Sequence, residues 1–261
     1  MARTFLQEGC KVVISSRRSE HIVKALNILN SPDRTTGMVC DVSDLEQMRA
    51  LKNHALHTFG GMDIWVNNAG TAGPYGPTMG ITPETFQTVM HTNIGGVYNG
   101  SYTALEYFLS QKQGKLINIL GHGYQGPVTY QNAYASSKYW VRSFTLCLAA
   151  ENKDSGVGIF ALNPGMMLTD LLTDVDVVSG YEEKLKVFPT IIRMWAKPPE
   201  MPARKAAWLA SSATDGQTGK LVSVMSTRLM LGGAIRECWR WITGKKIQEN
   251  VRMHSIPYGK G

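Results

Sequence analysis

Between Lys11 and Val224, short runs of β-branched and aliphatic residues alternate with longer amphipathic stretches. No other feature constrains the fold as much, because this alternation is how a parallel sheet covered by helices reads in a sequence. Strands are predicted over residues 11–16, 36–40, 62–66, 115–120, 157–162 and 220–224. Helices are predicted over residues 19–29, 43–59, 102–111, 133–152 and 202–210, with a further one opening at Thr82-Pro83 and running past Asn93 toward Gly100. Ser43, with Glu46 three residues on, has the form of a capping box. Residues 171–200 are apolar and show no regular period. The expected architecture is α/β, a doubly wound parallel sheet flanked by helices.

The front of that architecture is not visible. The first strand follows Gly9, and the residues before it read as the end of a helix. A doubly wound nucleotide-binding sheet begins with a strand, a glycine-rich turn and then that helix. The turn aims backbone N–H groups at a pyrophosphate. The expectation is therefore a sheet lacking its first strand and glycine-rich turn, a deficit of about two dozen residues judged from the ~30-residue βαβ unit. Residues 1–224 are expected to form one domain, N-terminally truncated, and residues 225–261 a basic extension.

Composition narrows the function. With 43% hydrophobic and 18% charged residues, 261 residues can bury one substantial core. No apolar run approaches bilayer length, and the first residues carry no apolar segment of signal-peptide size, so a cytoplasmic protein is expected. Cys10, Cys40, Cys147 and Cys238 are scattered, without metal-ligand or disulfide spacing. The net charge of +7 is mostly a property of the tail, where seven Lys/Arg from Arg228 onward face only Glu237 and Glu249. A nucleic-acid partner is therefore not expected.

The chemistry centres on Tyr134-Ala-Ser-Ser-Lys138. Four residues apart on a predicted helix, Tyr134 and Lys138 share a face. A phenol titrates near 10 in water, and a neighbouring ammonium that stabilises the phenolate brings it toward the range of a proton shuttle. By itself the pair is a common chance occurrence on helix surfaces. Here it stands in an ordered series: Asn67-Asn-Ala-Gly70 after a strand, Asn93 within a helix, the pair, then Asn163-Pro-Gly165 after another strand.

In that order and spacing the chain resembles the short-chain dehydrogenase/reductase family, a Rossmann-type fold, from about Ala2 to Val224. The resemblance implies that Tyr134 delivers a proton to the substrate oxygen. It implies that Lys138 lowers the Tyr134 pKa and bonds the nicotinamide ribose, and that Asn93 supports a proton relay through water. Asp41 and Val42 would meet the adenine, Asn67, Ala69 and Gly70 would line the cofactor groove, and Pro164, Gly165 and Thr169 would hold the nicotinamide. The family also implies a homo-oligomer. Turn chemistry alone accounts for Asn67 and Gly70, though not for the other motifs.

At the end of the first visible strand, NAD sites place a carboxylate for the ribose 2′-OH. This chain reads Ser15-Ser16-Arg17-Arg18, with two guanidiniums suited to a 2′-phosphate, so NADP(H) is the expected cofactor. No metal is expected.

Two features depart from the family pattern. The catalytic serine that usually lies thirteen residues before the tyrosine is replaced by Gly121, in Ile119-Leu-Gly-His-Gly-Tyr124. His122 or Tyr124 is the available substitute donor, and an aldehyde tolerates the loss better than a ketone. The chlorophyll b reductase-like branch shares a Gly-x-Gly stretch here. It also shares Ile64-Trp-x-Asn-Asn-Ala-Gly-Thr71 and Pro164-Gly-Met-x-Leu-Thr169 with Asp170-Leu-Leu172 behind it. That resemblance implies reduction of a formyl group to a hydroxymethyl with NADPH.

The apolar segment 171–200 suits a bulky apolar carbonyl or alcohol substrate, or it simply covers the core. In the tail, Leu231, Ile235, Cys238 and Ile242 form a helical stripe opposite Arg236 and Arg240, with Trp239 and Trp241 nearby. Two readings stay open for it: peripheral membrane contact, or packing on a second subunit or the core. The expected function is NADP(H)-dependent carbonyl reduction. The alternative is a catalytically silent homologue serving as a binding or regulatory subunit.

Overall fold

The computed structural model describes residues 1–244 and 251–259; Lys245, Lys246 and Lys260 of the basic tail lie outside them. The chain opens with α1 (Ala2–Gln7), β1 (Val12–Ser16), α2 (Ser19–Leu29), β2 (Thr35–Val39), α3 (Leu45–Phe59) and β3 (Ile64–Asn67). It continues through α4 (Pro83–Met90), a π-helical turn (His91–Gly95), α5 (Gly96–Gln111), β4 (Gly114–Ile119), α6 (Asn132–Glu151) and β5 (Val157–Asn163). The last third holds α7 (Asp170–Thr173), β6 (Asp174–Val178), α8 (Phe188–Trp195), α9 (Glu200–Ala210), β7 (Leu221–Ser223), α10 (Thr227–Ile242) and β8 (Arg252–Ile256).

All strand pairings are parallel, and helices flank the sheets on both faces, as the alternation predicts. β3, β4, β5 and β7 form one sheet in that order. Every residue of β5 is buried, which is why its sequence reads as an unbroken apolar run. Successive β4 side chains serve opposite faces. Leu116 joins Trp65, Leu105, Phe108 and Ile159 on the side of α3 and α5. Ile117 joins Phe5, Phe160, Leu162 and Leu209 on the side of α1 and α9.

A buried chain of polar groups stitches this sheet to its helices. Trp65 Nε1 donates to Asn67 Oδ1 at 2.8 Å, and Asn67 Nδ2 donates to Asn118 Oδ1 at 2.8 Å. Asn118 Nδ2 donates in turn to Thr145 Oγ1 of α6 at 2.9 Å. A β-carbon on Gly100 would stand 2.0 Å from Asn67 Oδ1, so only a glycine lets α5 lie this close. Each such group left unpaired would cost about 1–3 kcal/mol.

The ladder is not continuous. β1 pairs only with β2, in a separate two-stranded sheet. Between β1 and β3 runs a cleft of ≈ 640 Å³, walled by residues from Cys10 to Ser15 on one side and from Asp63 to Ala69 on the other.

Several local expectations are corrected. Asp44, not Ser43, caps α3, accepting from Glu46 N at 2.9 Å and Gln47 N at 3.1 Å. The Ser43 hydroxyl is already committed to Asp41 Oδ1 at 2.7 Å. The helix through Asn93 is interrupted by the π-helical turn, whereas α5 runs unbroken past Gly100. Residues 171–200 are regular for most of their length, containing α7, β6 and α8. β8, which the sequence did not announce, pairs with β6 in a third sheet, with Val175 opposite Met253 and Val177 opposite Ser255.

The tail stripe does not pack into the core. Leu231, Ile235, Cys238 and Ile242 are all exposed on α10, Ile235 by 68%. The opposite face is the one turned toward α8, with Gly233 buried there. Glu237 binds both Arg193 of α8 and Arg240, and Arg236 donates to Met194 O at 3.3 Å. Gly233 permits the contact, since a β-carbon there would meet Met194 O at 2.3 Å.

Candidate active site

The residues singled out in the sequence gather at the carboxyl ends of the strands, where open α/β sheets hold their ligands. Arg17 and Arg18 follow β1, Asp41 and Val42 follow β2, Asn68 to Gly70 follow β3, Gly121 follows β4, and Pro164 and Gly165 follow β5. Helix α6 brings Tyr134 and Lys138 to the same edge.

Lys138 is 5% exposed, and its Nζ donates to the carbonyl of Ile119 at 3.2 Å while standing 5.6 Å from the centre of the Tyr134 ring. The expected lowering of the Tyr134 pKa is not what this geometry produces. Burial pushes the phenol up to about 12 and brings the lysine down to about 8. Removing both groups from water outweighs their mutual stabilisation, since the ammonium points at a backbone carbonyl.

Gly121 faces the Tyr134 hydroxyl directly. A β-carbon there would stand 2.2 Å from the hydroxyl oxygen and 3.0 Å from Cζ. The phenol thus fills the volume that a side chain at 121 would need, which gives the missing serine a steric reason. Tyr124 packs against the cluster of Val97, Leu120, Val141 and Ala161, and His122 is exposed.

Asn93, completely buried in the π-helical turn, is fully bonded. Its Oδ1 accepts from Thr71 N at 2.9 Å, and its Nδ2 donates to Thr71 O at 2.9 Å and to Ser137 Oγ at 3.0 Å. Both amide protons are bonded, so the side chain braces the turn after β3 against α6. A π-bulge inside a helix is a frequent device for re-aiming one such residue. Ser137, whose Oγ also donates to Tyr134 O at 2.7 Å, is a partner that sequence reasoning missed, although it lies inside the Tyr-x-x-x-Lys motif.

At the other candidate positions the structure separates lining from bracing. Asn67 turns its amide into the buried chain described above. Ala69 lines the cleft. A β-carbon on Gly70 would lie 3.3 Å from Asn93 Oδ1 and 3.6 Å from Lys138 Nζ, so this backbone lies directly against both side chains. Gly165 has φ +70°, and its N–H donates to Asn163 Oδ1 at 3.2 Å. The Thr169 hydroxyl turns back to Met167 O at 3.4 Å. Asp41 is held below its usual range by the Ser43 hydroxyl, with Arg17 a lesser contributor. Val42 packs where a Gly96 β-carbon would stand 2.5 Å from its Cγ2. Arg18 is paired with Glu20 and His21, whereas Arg17 is exposed and makes no hydrogen bond or ion pair among the described residues.

A small pocket beside Tyr134 is lined by Ala72, Pro74, Ile81 and Val89. Nearby, Tyr130 lies between Tyr75 and Tyr181, tilted to both rings, with centroids 5.5 and 5.4 Å away. Tyr75 N donates to Asp176 O at 2.8 Å, joining this aromatic group to the β6–β8 sheet. Among the described residues there is no cluster of metal-ligating side chains, and no helix long and apolar enough to cross a membrane.

A family model described as short chain dehydrogenase matches residues 1–177. The rice protein named probable chlorophyll(ide) b reductase NYC1, chloroplastic (Oryza sativa subsp. japonica) is 33% identical over 192 residues, 66% of this chain and 38% of that protein. The chain thus spans well under half of that relative. 3beta-hydroxysteroid dehydrogenase 1 of Eggerthella lenta is 33% identical over 229 residues, covering 86% of each chain. Among solved structures, a 3-ketoacyl-(acyl-carrier-protein) reductase from Brucella melitensis complexed with NADH superposes with a TM-score of 0.77. It is 27% identical and covers 87% of this chain and 91% of its own. A single-substitution variant of actinorhodin polyketide ketoreductase with NADPH gives 0.76 at 26% identity, covering 85% of this chain and 89% of its own.

Proposed function

The chain belongs to the short-chain dehydrogenase family, and on that premise we propose that it is an NADP(H)-dependent oxidoreductase interconverting a carbonyl and an alcohol. The observation that carries the reading is the burial of Tyr134 beside Lys138 at the carboxyl edge of the sheet, with the Gly70 backbone against the lysine.

Residues suited to both ends of the dinucleotide are present. Arg17, Asp41 and Val42 would hold the adenosine end, and Pro164, Gly165 and Thr169 the nicotinamide end, with Asn67, Ala69 and Gly70 between. A β-carbon at Gly70 would press on Asn93 Oδ1 at 3.3 Å and one at Gly165 would meet Met225 Cγ at 2.7 Å, so both backbones lie tightly against neighbouring side chains. No glycine-rich turn at a helix N-terminus lies between these ends among the described residues. Arg17 supports NADP(H) over NAD(H), because β1 ends without a carboxylate and this guanidinium is unpaired. The two solved relatives hold different cofactors, so the choice rests on this strand end.

When bound, the cofactor supplies the hydride. Tyr134, protonated at neutral pH, donates its proton to the carbonyl oxygen. Lys138, with a pKa near 8, can carry a proton at physiological pH without departing from its Ile119 contact. Asn93 acts through Thr71 and Ser137, holding the turn and α6 in register. With glycine at 121, only Tyr134 polarises the oxygen, which favours an aldehyde over a ketone. The aromatic group at Tyr130 supports a bulky apolar substrate, and the formyl-to-hydroxymethyl reduction implied by the chlorophyll b reductase-like motifs would be of that kind.

The test is NADPH consumption with a bulky aromatic aldehyde. Tyr134→Phe should abolish it and leave the melting temperature unchanged; a wild-type rate in that variant sinks the assignment. The split sheet favours a second reading, a silent binding subunit, and calorimetric titration with NADPH separates the two, since a silent subunit need not bind. We further infer that the exposed α10 stripe packs on a second copy of the chain rather than on a membrane, because Arg236 bonds α8 and Arg240 bonds Glu237, which itself pairs with Arg193 of α8. Sedimentation should give a dimer or larger, and flotation with anionic liposomes should leave the protein at the bottom.

A further inference from the structure

We propose that the segment from Arg252 to Gly259 is a clasp on the substrate side of Tyr134, with Tyr258 as a positioning residue for bulky substrates. The inference rests on the carbonyl-reductase reading for the reaction concerned, and on separate observations for the clasp itself.

The segment grips two stretches of chain that are far apart in sequence. One is the stretch after β5. β8 pairs with β6 in register, from Arg252 opposite Asp174 to Ile256 opposite Val178. Ser179 N donates to Ile256 O at 2.8 Å, and Ser255 Oγ donates to Glu182 Oε1 at 2.7 Å. Asp174 bonds Arg252 at 2.9 Å and His254 at 2.6 Å, although exposed ion pairs hold little by themselves. The other stretch is the loop after β3. Gly259 N donates to the carbonyl of Gly80 at 3.0 Å. The Tyr258 ring lies on Gly80, where a β-carbon would stand 3.2 Å from its Cε2.

Between these two grips, β6 is bonded on both edges. Its successive amides point opposite ways: Ser179 N goes to β8, and Val178 N donates to Tyr75 O at 2.9 Å. Tyr75 N returns a bond to Asp176 O at 2.8 Å. A β-carbon on Gly76 would stand 2.3 Å from Val178 Cγ2, so the loop after β3 lies hard against this strand.

The same loop reaches the Tyr134 end. Gly76 N donates to Tyr130 O at 2.9 Å, and the Tyr130 ring lies between Tyr75 and Tyr181. Tyr130 has φ +67°, a left-handed backbone that a bulky residue keeps only where its neighbours enforce it. Two residues on, α6 begins at Asn132, and Tyr134 lies in its first turn. Ala72 and Pro74 of the loop stand beside Tyr134. Releasing the clasp therefore loosens the tie between Gly76 and Tyr130, and with it the approach to Tyr134.

Hydrogen exchange on the full chain reads the clasp with no cofactor or substrate present, so its failure and the failure of the reductase reading are separable. Tyr258→Ala removes the grip on Gly80. Met253→Pro with His254→Pro removes a ladder donor, because adjacent strand amides point to opposite edges, as those of Val178 and Ser179 do. Tyr258→Phe keeps the ring and is the conservative control.

In the first two variants, peptides covering residues 72–80 and 128–134 should exchange at least about threefold faster, with β4 and β5 unchanged. The KM for a bulky aromatic aldehyde should rise at least about fivefold, with kcat within about twofold and the NADPH Kd unchanged. Tyr258→Phe should match the parent chain in every measurement. Faster exchange confined to residues 252–259 overturns the proposal. So does a fall in kcat with KM unchanged, or a Tyr258→Phe variant that behaves as Tyr258→Ala does. If the parent chain reduces no aldehyde, the reductase reading falls and the exchange pattern still decides the clasp.

Discussion

The two sides of β3 are built in opposite ways. Toward β4 it is laddered residue by residue and tied through Asn67 and Asn118 to α6. Toward β1 it meets only the cleft. Tyr134, Lys138 and Asn93 stand on the first side, where strand pairing is continuous. Arg17 and Asp41 stand on the second, on a strand pair with no ladder to the rest. The lesson is that the two ends of the proposed dinucleotide site have unequal structural support. Its proton-transfer end is tied into a laddered sheet, and its adenosine end sits on a strand pair with no ladder to β3.

The largest effect expected from breaking this comparison is at the complete end. Tyr134→Phe should lower turnover by at least about 10²-fold, the usual contribution of a positioned acid, with melting unchanged. Next, the two walls of the core should respond unequally to truncation. Leu116→Ala, at a fully buried position between paired strands, should cost about 2–5 kcal/mol in urea denaturation. Val13→Ala, facing the cleft, should cost under ~1 kcal/mol, because its neighbours on one side are already missing. Equal losses would mean the cleft is closed in solution.

The buried amine gives a pH signature. Lys138 titrates near 8 in the folded chain against 10.5 in the open, so the unfolded state holds more protons between these values and stability rises with pH across that window. Tyr134, raised from 10.0 to about 12, has the opposite sign and erodes stability above pH 10. Melting temperature should therefore climb from pH 8 to 10, and Lys138→Met should flatten the climb, a difference on the order of 3 kcal/mol. The smallest effects belong to the adenosine end. Arg17→Ala should raise the NADPH KM about tenfold, the cost of one lost charge-assisted contact. Arg18→Ala, already paired with Glu20, should change it less than twofold.

Much of this was legible in the residues. The β-branched runs identify six strands of the parallel sheets, and the four ordered motifs bring the chemistry to one edge. What escaped did so for identifiable reasons. The Asp174-Val-Asp-Val-Val178 alternation is a strand pattern, but its partner Arg252-Met-His-Ser-Ile256 is too polar to read as one. Lys138 looked like a phenol activator because sequence spacing gives the face a residue occupies, not the carbonyl its ammonium reaches. Gly121 read as a loss, and only coordinates reveal that Tyr134 occupies the volume.

The β6–β8 pairing bears on when the protein becomes whole. Arg252 and His254 both bond Asp174, across 78 and 80 residues of chain. Contacts so distant in sequence form late, because the intervening loop must first be closed. During synthesis, the main sheet can assemble while β6 still lacks its partner strand. The edge of β6 in a nascent chain therefore stays unpaired until residue 256 has left the ribosome, and a stalled chain would present that open strand edge to chaperones.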